Sequence, residues 1–129
     1  MEYALKKETS LSYEEALQKL PELLKEQGFG VLTEIDVKET LKKKLDVDYD
    51  KYKILGACNP KFAYKALSNE PEVGVLLPCN VVVHEKDGKT MIMAFNPINI
   101  GQMSDNPTLK ELGTEVKSAF EQIFAKIPG

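Results

Sequence analysis

Between Val73 and Asn96 the chain carries two apolar stretches, VGVLLPCNVVVH and KTMIMAFN, divided by a short polar segment that contains Asp87-Gly88. An Asp-Gly pair supplies the positive φ values that a two-residue turn demands, so it predicts a β-hairpin with Val73–His84 and Lys89–Asn96 as its arms. Both arms are apolar on both parities, which marks strands covered on two faces and places the hairpin at the centre of a sheet. The turn sets Lys86 opposite Lys89, His84 opposite Met91 and Cys79 opposite Asn96. Met91 and Met93 then read as core residues.

The remaining elements follow from period and capping chemistry. Glu2 to Glu8 alternates, with Tyr3, Leu5 and Lys7 on one parity, and suits a strand that tolerates a sheet edge. Ser12-Tyr13-Glu14-Glu15 has the spacing of a capping box. The helix it starts carries Ala16, Leu17, Leu20, Leu23 and Leu24 on one stripe, with Pro21 as a predicted kink and Gly28 as the stop. Phe29–Ile35 is β-branched and aromatic and predicts a second strand. Asp36 caps a short helix whose stripe, Val37, Leu41 and Leu45, is narrow enough to leave it mostly solvated. Tyr52–Cys58 reads as a third strand. Asn59-Pro60 and Asn106-Pro107 each place a side-chain acceptor before a proline whose missing amide costs nothing at the first helical position. The last helix carries Leu109, Leu112, Val116, Phe120, Ile123 and Ile127 and should cover one sheet face. Asn96-Pro97 reads as a further corner, and no internal duplication is inferred from these repeats.

These readings commit residues 1–129 to a single α+β domain: two layers, with a mainly antiparallel or mixed sheet of about five strands packed by about four helices. No Ser/Gly/Pro-rich linker divides the chain, and 43% hydrophobic and 29% charged residues are ordinary for a globular domain. The net charge of −3 excludes a general binder of phosphate backbones, which needs an excess of Lys and Arg. The N-terminal segment lacks the continuous apolar run of a secretory signal, and Val73–Val83 is too short and too interrupted to span a bilayer. With two cysteines and no disulfide framework, a cytoplasmic home is expected.

Candidate chemistry gathers at two Cys-Asn corners, 58–59 and 79–80. Cys58 immediately precedes a predicted helix N-terminus, where amides and the helix dipole favour a thiolate. If the strand ending at Cys79 lies parallel to that of Cys58, both thiols fall at corresponding strand ends, close enough to bridge or to exchange. Buried packing is the commoner fate of free cysteine. Asn96, set opposite Cys79 by the hairpin register, completes a polar corner of Cys58, Asn59, Cys79, Asn80 and Asn96 that suits a small molecule or anion. Helix capping alone also accounts for the asparagines. The single histidine, His84, differs from Cys79 in strand parity, so the two cannot share a metal ion in a regular strand. No catalytic triad, zinc-binding or Gly-rich phosphate motif is present, so no cofactor is expected and a non-enzyme is favoured. The lysines at 42–44 complement the end of their helix.

At GFGVLTEIDV (28–37), ILGACNP (54–60) and VGVLLPCNVVV (73–83) the sequence resembles the family called domain of unknown function 302, over nearly its whole length. The resemblance implies a small α+β fold, an antiparallel or mixed sheet backed by helices, and a homodimer. It implies no activity. Relatives are expected to carry an acidic residue where this chain has Asn96, and an amide there cannot serve as general acid or base. An association of some relatives with sulfur or thiol metabolism points to the cysteines. Two functions follow: a homodimeric binding or regulatory module with a small ligand at the corner, or a thiol or persulfide-handling protein with Cys58 as nucleophile and Cys79 as resolving partner. A purely structural dimer partner is a third.

Overall fold

The computed structural model describes residues 2–129. A five-stranded sheet, antiparallel throughout, has the order β1-β5-β4-β3-β2, with β1 Ala4–Thr9, β2 Gly30–Asp36, β3 Lys51–Cys58, β4 Cys79–Lys86 and β5 Lys89–Phe95. The hairpin β4–β5 lies inside the sheet, as expected, but helices cover only one of its two apolar faces. Asp87 (φ 54°) and Gly88 (φ 76°) make its turn, and Lys86 faces Lys89 and His84 faces Met91. The β4–β5 pairing ends at Val81 and Ala94, so Cys79 and Asn96, expected to face each other, lie beyond it.

The described residues form five α-helices: α1 Tyr13–Glu26, α2 Val37–Leu45, α3 Pro60–Asn69, α4 Ile98–Met103 and α5 Pro107–Ala125. The capping box of α1 is complete, with Ser12 Oγ accepting from Glu15 N (3.1 Å) and Glu15 Oε1 accepting from Ser12 N (2.8 Å). Its helix is continuous through Pro21. Asp36 caps α2, which buries none of its residues, and Lys42 and Lys43 are occupied by Asp46 and Glu39 at 3.0 Å. Asn59 and Asn106 cap α3 and α5, each ahead of a proline.

The segment after α3 departs from expectation. Val73–Leu76 does not extend the hairpin arm; Pro71–Leu76 forms a 3-10 turn and β4 begins only at Cys79. Pro71 pre-sets the first φ of the turn, Val73 finds apolar burial there, and Pro78, which has no amide to donate, precedes the ladder. The short helix α4 is the other element that the periodicity misses. It packs tightly on α5: a β-carbon on Gly101 would meet Lys110 Cα at 2.8 Å, and one on Gly113 would meet Pro97 O at 2.7 Å.

One sheet face carries Ala57, Cys79, Val81, Val83, Ile92 and Ala94, all buried in a cluster with α1 residues Leu20 and Leu24 and α5 residues Phe120 and Ile123. At roughly 1.5–3 kcal/mol for each large apolar side chain removed from water, this cluster is the main source of stability. A smaller cluster, Ala66, Val73, Ile100, Leu109 and Leu112, joins α3, the 3-10 turn, α4 and the start of α5. The other sheet face has no comparable cover. Met91 and Met93, expected in the core, stand on this face beside Val82 and are only half-buried, because the helices occupy the opposite face.

Candidate functional site

The two Cys-Asn corners meet because β3 ends where the neighbouring strand β4 begins. The strands are antiparallel, with Ala57 opposite Cys79, so Cys58 lies one residue past the residue that faces Cys79. The parallel pairing considered from sequence is therefore corrected, yet both thiols still reach one end of the sheet. Both cysteines are free, Cys79 buried and Cys58 intermediate. Burial, and then the neighbouring Cys58, push the Cys79 thiol up from 9.0 to about 11. A thiol in that condition stays protonated near neutrality and is a poor nucleophile.

Both cysteines and Asn59 line a cavity of about 50 Å³. Its remaining wall is apolar: Phe29 and Ala57 from the main cluster, Ala66, Ile100, Leu109 and Leu112 from the smaller one, with Phe62 and Leu77 between them. The cavity is thus the seam between two cores. Phe29 anchors it, stacked on Phe120 (ring centroids 5.1 Å apart, 20° between planes) and tilted against Phe62 (6.4 Å).

Asn59 is held by its own hydrogen bonds. Its Oδ1 accepts from Lys61 N (3.1 Å) and Phe62 N (3.5 Å), and its Nδ2 donates to Gln27 O (3.2 Å). Gly28, at φ +83°, allows this clamp between the end of α1 and the start of α3, since a β-carbon there would come within 2.8 Å of Asn59 Nδ2. The two other asparagines of the expected corner stand elsewhere. Asn80 faces Gly56 on the open side of the sheet. Asn96 is buried, accepts from Ile98 N (3.2 Å) and donates to Glu2 O (3.3 Å), tying the segment ahead of β1 to the entry of α4. Of the five expected residues, Cys58, Asn59 and Cys79 come together.

His84 lies on the face opposite Cys79, as strand parity requires. Its Nε2 is 2.8 Å from Asp50 Oδ2, and Tyr49 and Tyr52 flank the ring at 6.4 and 4.9 Å. Among the described residues no group of three His, Cys, Asp or Glu could hold a metal ion, and no helix is long and apolar enough to cross a membrane. The sequence reading missed the apolar lining of the cavity. Leu109 and Leu112 were visible only as helix-stripe residues, and nothing local marks a seam. The Asp50–His84 pair, 34 residues apart, has no local signal either.

Comparison with known proteins agrees with this architecture. A family model described as "Domain of unknown function DUF302" matches residues 5–127. Among solved structures, the crystal structure of an uncharacterized conserved DUF302 protein from Bacillus stearothermophilus is similar, at 30% identity and a TM-score of 0.91, covering 98% of this chain and 99% of that one. No curated protein matches.

Proposed function

The chain belongs to the DUF302 family, and we propose that it is a homodimeric, non-enzymatic binding module whose ligand seats in the apolar cavity beside Cys58 and Cys79. The cavity itself carries this reading. Protein interiors leave few voids larger than a water molecule. One of about 50 Å³ exceeds the roughly 10–15 Å³ that a single water needs, yet its wall offers water few partners. Such a space favours an alkyl or aryl group. Asn59 is spent on capping, so the wall selects chiefly by shape and polarity.

A thermal-shift screen of small apolar and amphiphilic metabolites tests the proposal. A ligand at a hundred times its dissociation constant adds about 2.7 kcal/mol. Loss of that response in Ala66→Val, whose extra methyls enter the cavity, assigns it to the seam. No shift across a broad set contradicts the proposal.

Support for the dimer comes from the open sheet face, where Ile54, Val82, Met91 and Met93 are half-buried and belong to neither helix-covered cluster. A second copy would cover that surface. The expected result is a dimer in light scattering and a monomer for Val82→Glu; a wild-type monomer at micromolar concentration contradicts this part.

The intermediate burial of Cys58, beside Cys79 and on the same cavity, supports a second reading as a thiol or persulfide-handling protein. It predicts that Cys58 reacts with peroxide or persulfide in the native protein and that Cys58→Ser does not. Native protein with two inert thiols would sink it.

A further inference from the structure

Cys58 and Phe29 border two spaces. On one side is the apolar cavity of about 50 Å³; on the other is a surface groove of about 560 Å³ at the β2 edge of the sheet. The groove runs past Pro21, Lys25, Gly30, Leu32 and Pro60, and Lys25 is the one charged residue that lines it. Lys25 takes part in none of the ion pairs formed among the described residues. Leu32, at the register shift in β2, is 68% exposed on the same groove.

We propose that the ligand of this site is a short anionic amphiphile, of the class of a small aliphatic carboxylate, with its tail in the cavity and its head beside Lys25. The inference rests on the cavity-binding reading and adds the charge of the ligand to it. On the measure by which a single water needs roughly 10–15 Å³, a space of about 50 Å³ holds only a few such groups and so takes the end of a chain. The rest of the molecule must lie outside, in the groove. There it passes the buried Phe29, crosses apolar surface at Val31 and Leu32 and meets a single charge, which is positive. An alcohol of the same tail would gain the burial without the ion pair. An amine would meet like charge.

Hexanoate, 1-hexanol and hexylamine, each at the same concentration, are the probes, and the thermal midpoint of the full-length protein is the readout. The expected order is hexanoate first, raising Tm by about 2–4 °C, then hexanol, with hexylamine lowest. Raised salt should narrow the gap between hexanoate and hexanol, because an exposed pair is screened. Lys25→Glu should remove the preference for hexanoate while keeping the response to hexanol, and Ala66→Val should abolish both. Hexanol and hexanoate acting equally in the wild-type protein would overturn the anionic assignment and leave the cavity reading standing. No response to any probe would overturn both. If Lys25→Glu does not fold, the order of the three probes on the wild-type protein and its salt dependence still decide the matter.

Discussion

The two apolar clusters of this domain are built from different materials. The main one lies between a sheet and two long helices, α1 and α5, whose stripes repeat for several turns and match the inward residues of β3, β4 and β5. The smaller one is assembled from a ten-residue helix, a 3-10 turn, a six-residue helix and the first turns of α5. Long periodic elements can adjust along their length until ridges fill grooves. Short elements that begin at prolines, at Pro60, Pro71 and Pro97, and run for no more than ten residues have less freedom, and a void lies at their boundary with the main core. What the comparison teaches is that the cavity arises from the way the fold is put together, with the cysteines placed at it by the ends of β3 and β4.

The largest expected effect lies in the main cluster. Phe120→Ala should cost about 3–5 kcal/mol in urea unfolding, since Phe120 is fully buried and stacks on Phe29. Ala66→Val at the seam should cost less than about 1 kcal/mol, where overpacking a full core costs about 1–3 kcal/mol. Equal costs for the two would erase the distinction between the clusters.

The second effect is alkaline and belongs to Cys79, which the main cluster buries at the edge of the seam. Its thiol is raised in the folded state from 9.0 to about 11, so above pH 9.0 the unfolded chain releases a proton that the folded chain retains. The stability contributed by the neutral thiol is complete below pH 9.0 and falls as pH rises toward about 11, by about 2–3 kcal/mol in all. Tyr13, raised from 10.0 to about 12 chiefly by burial, adds a loss of the same sign at higher pH. Cys79→Ala should remove the part of the slope that begins near pH 9.0, measured by urea unfolding at stepped pH. An unchanged slope would mean that Cys79 is solvated. The smallest effect is at Cys58, where Ser should change stability by no more than about 0.5 kcal/mol, because the side chain is only partly buried.

The sequence made legible whatever local chemistry decides. Asp87-Gly88 specified the hairpin and its register, Ser12 and Glu15 specified the start of α1, and Asn-Pro pairs specified the starts of α3 and α5. The apolar run Val73–Leu77 was misleading, because four apolar side chains around Gly74 suit a strand, whereas the 3-10 turn buries Val73 and leaves Val75 exposed. Pro71 and Pro78, which bracket it, were the better signal. Met91 and Met93 could not be placed by pattern: both parities of β5 are apolar, and only the position of the helices shows which face is covered. The site was half legible. Cys58, Asn59 and Cys79 were named by their strand-end positions, but Asn96 was drawn in by extending the ladder past Ala94, where the chain turns away toward α4. The apolar wall was invisible because each lining residue serves an ordinary helix or strand, and only their failure to meet makes a cavity.

The central claim, that the seam holds a dry apolar space able to accept a guest, is tested most directly by a crystal of the protein under xenon pressure, alongside Ala66→Val. Apolar cavities take up xenon and stay empty of water. The account predicts a xenon peak bounded by Phe62, Leu77, Cys79 and Leu112 in the wild-type protein and none in Ala66→Val. Ordered water in that space, or side chains collapsed into it with no xenon bound, would contradict it.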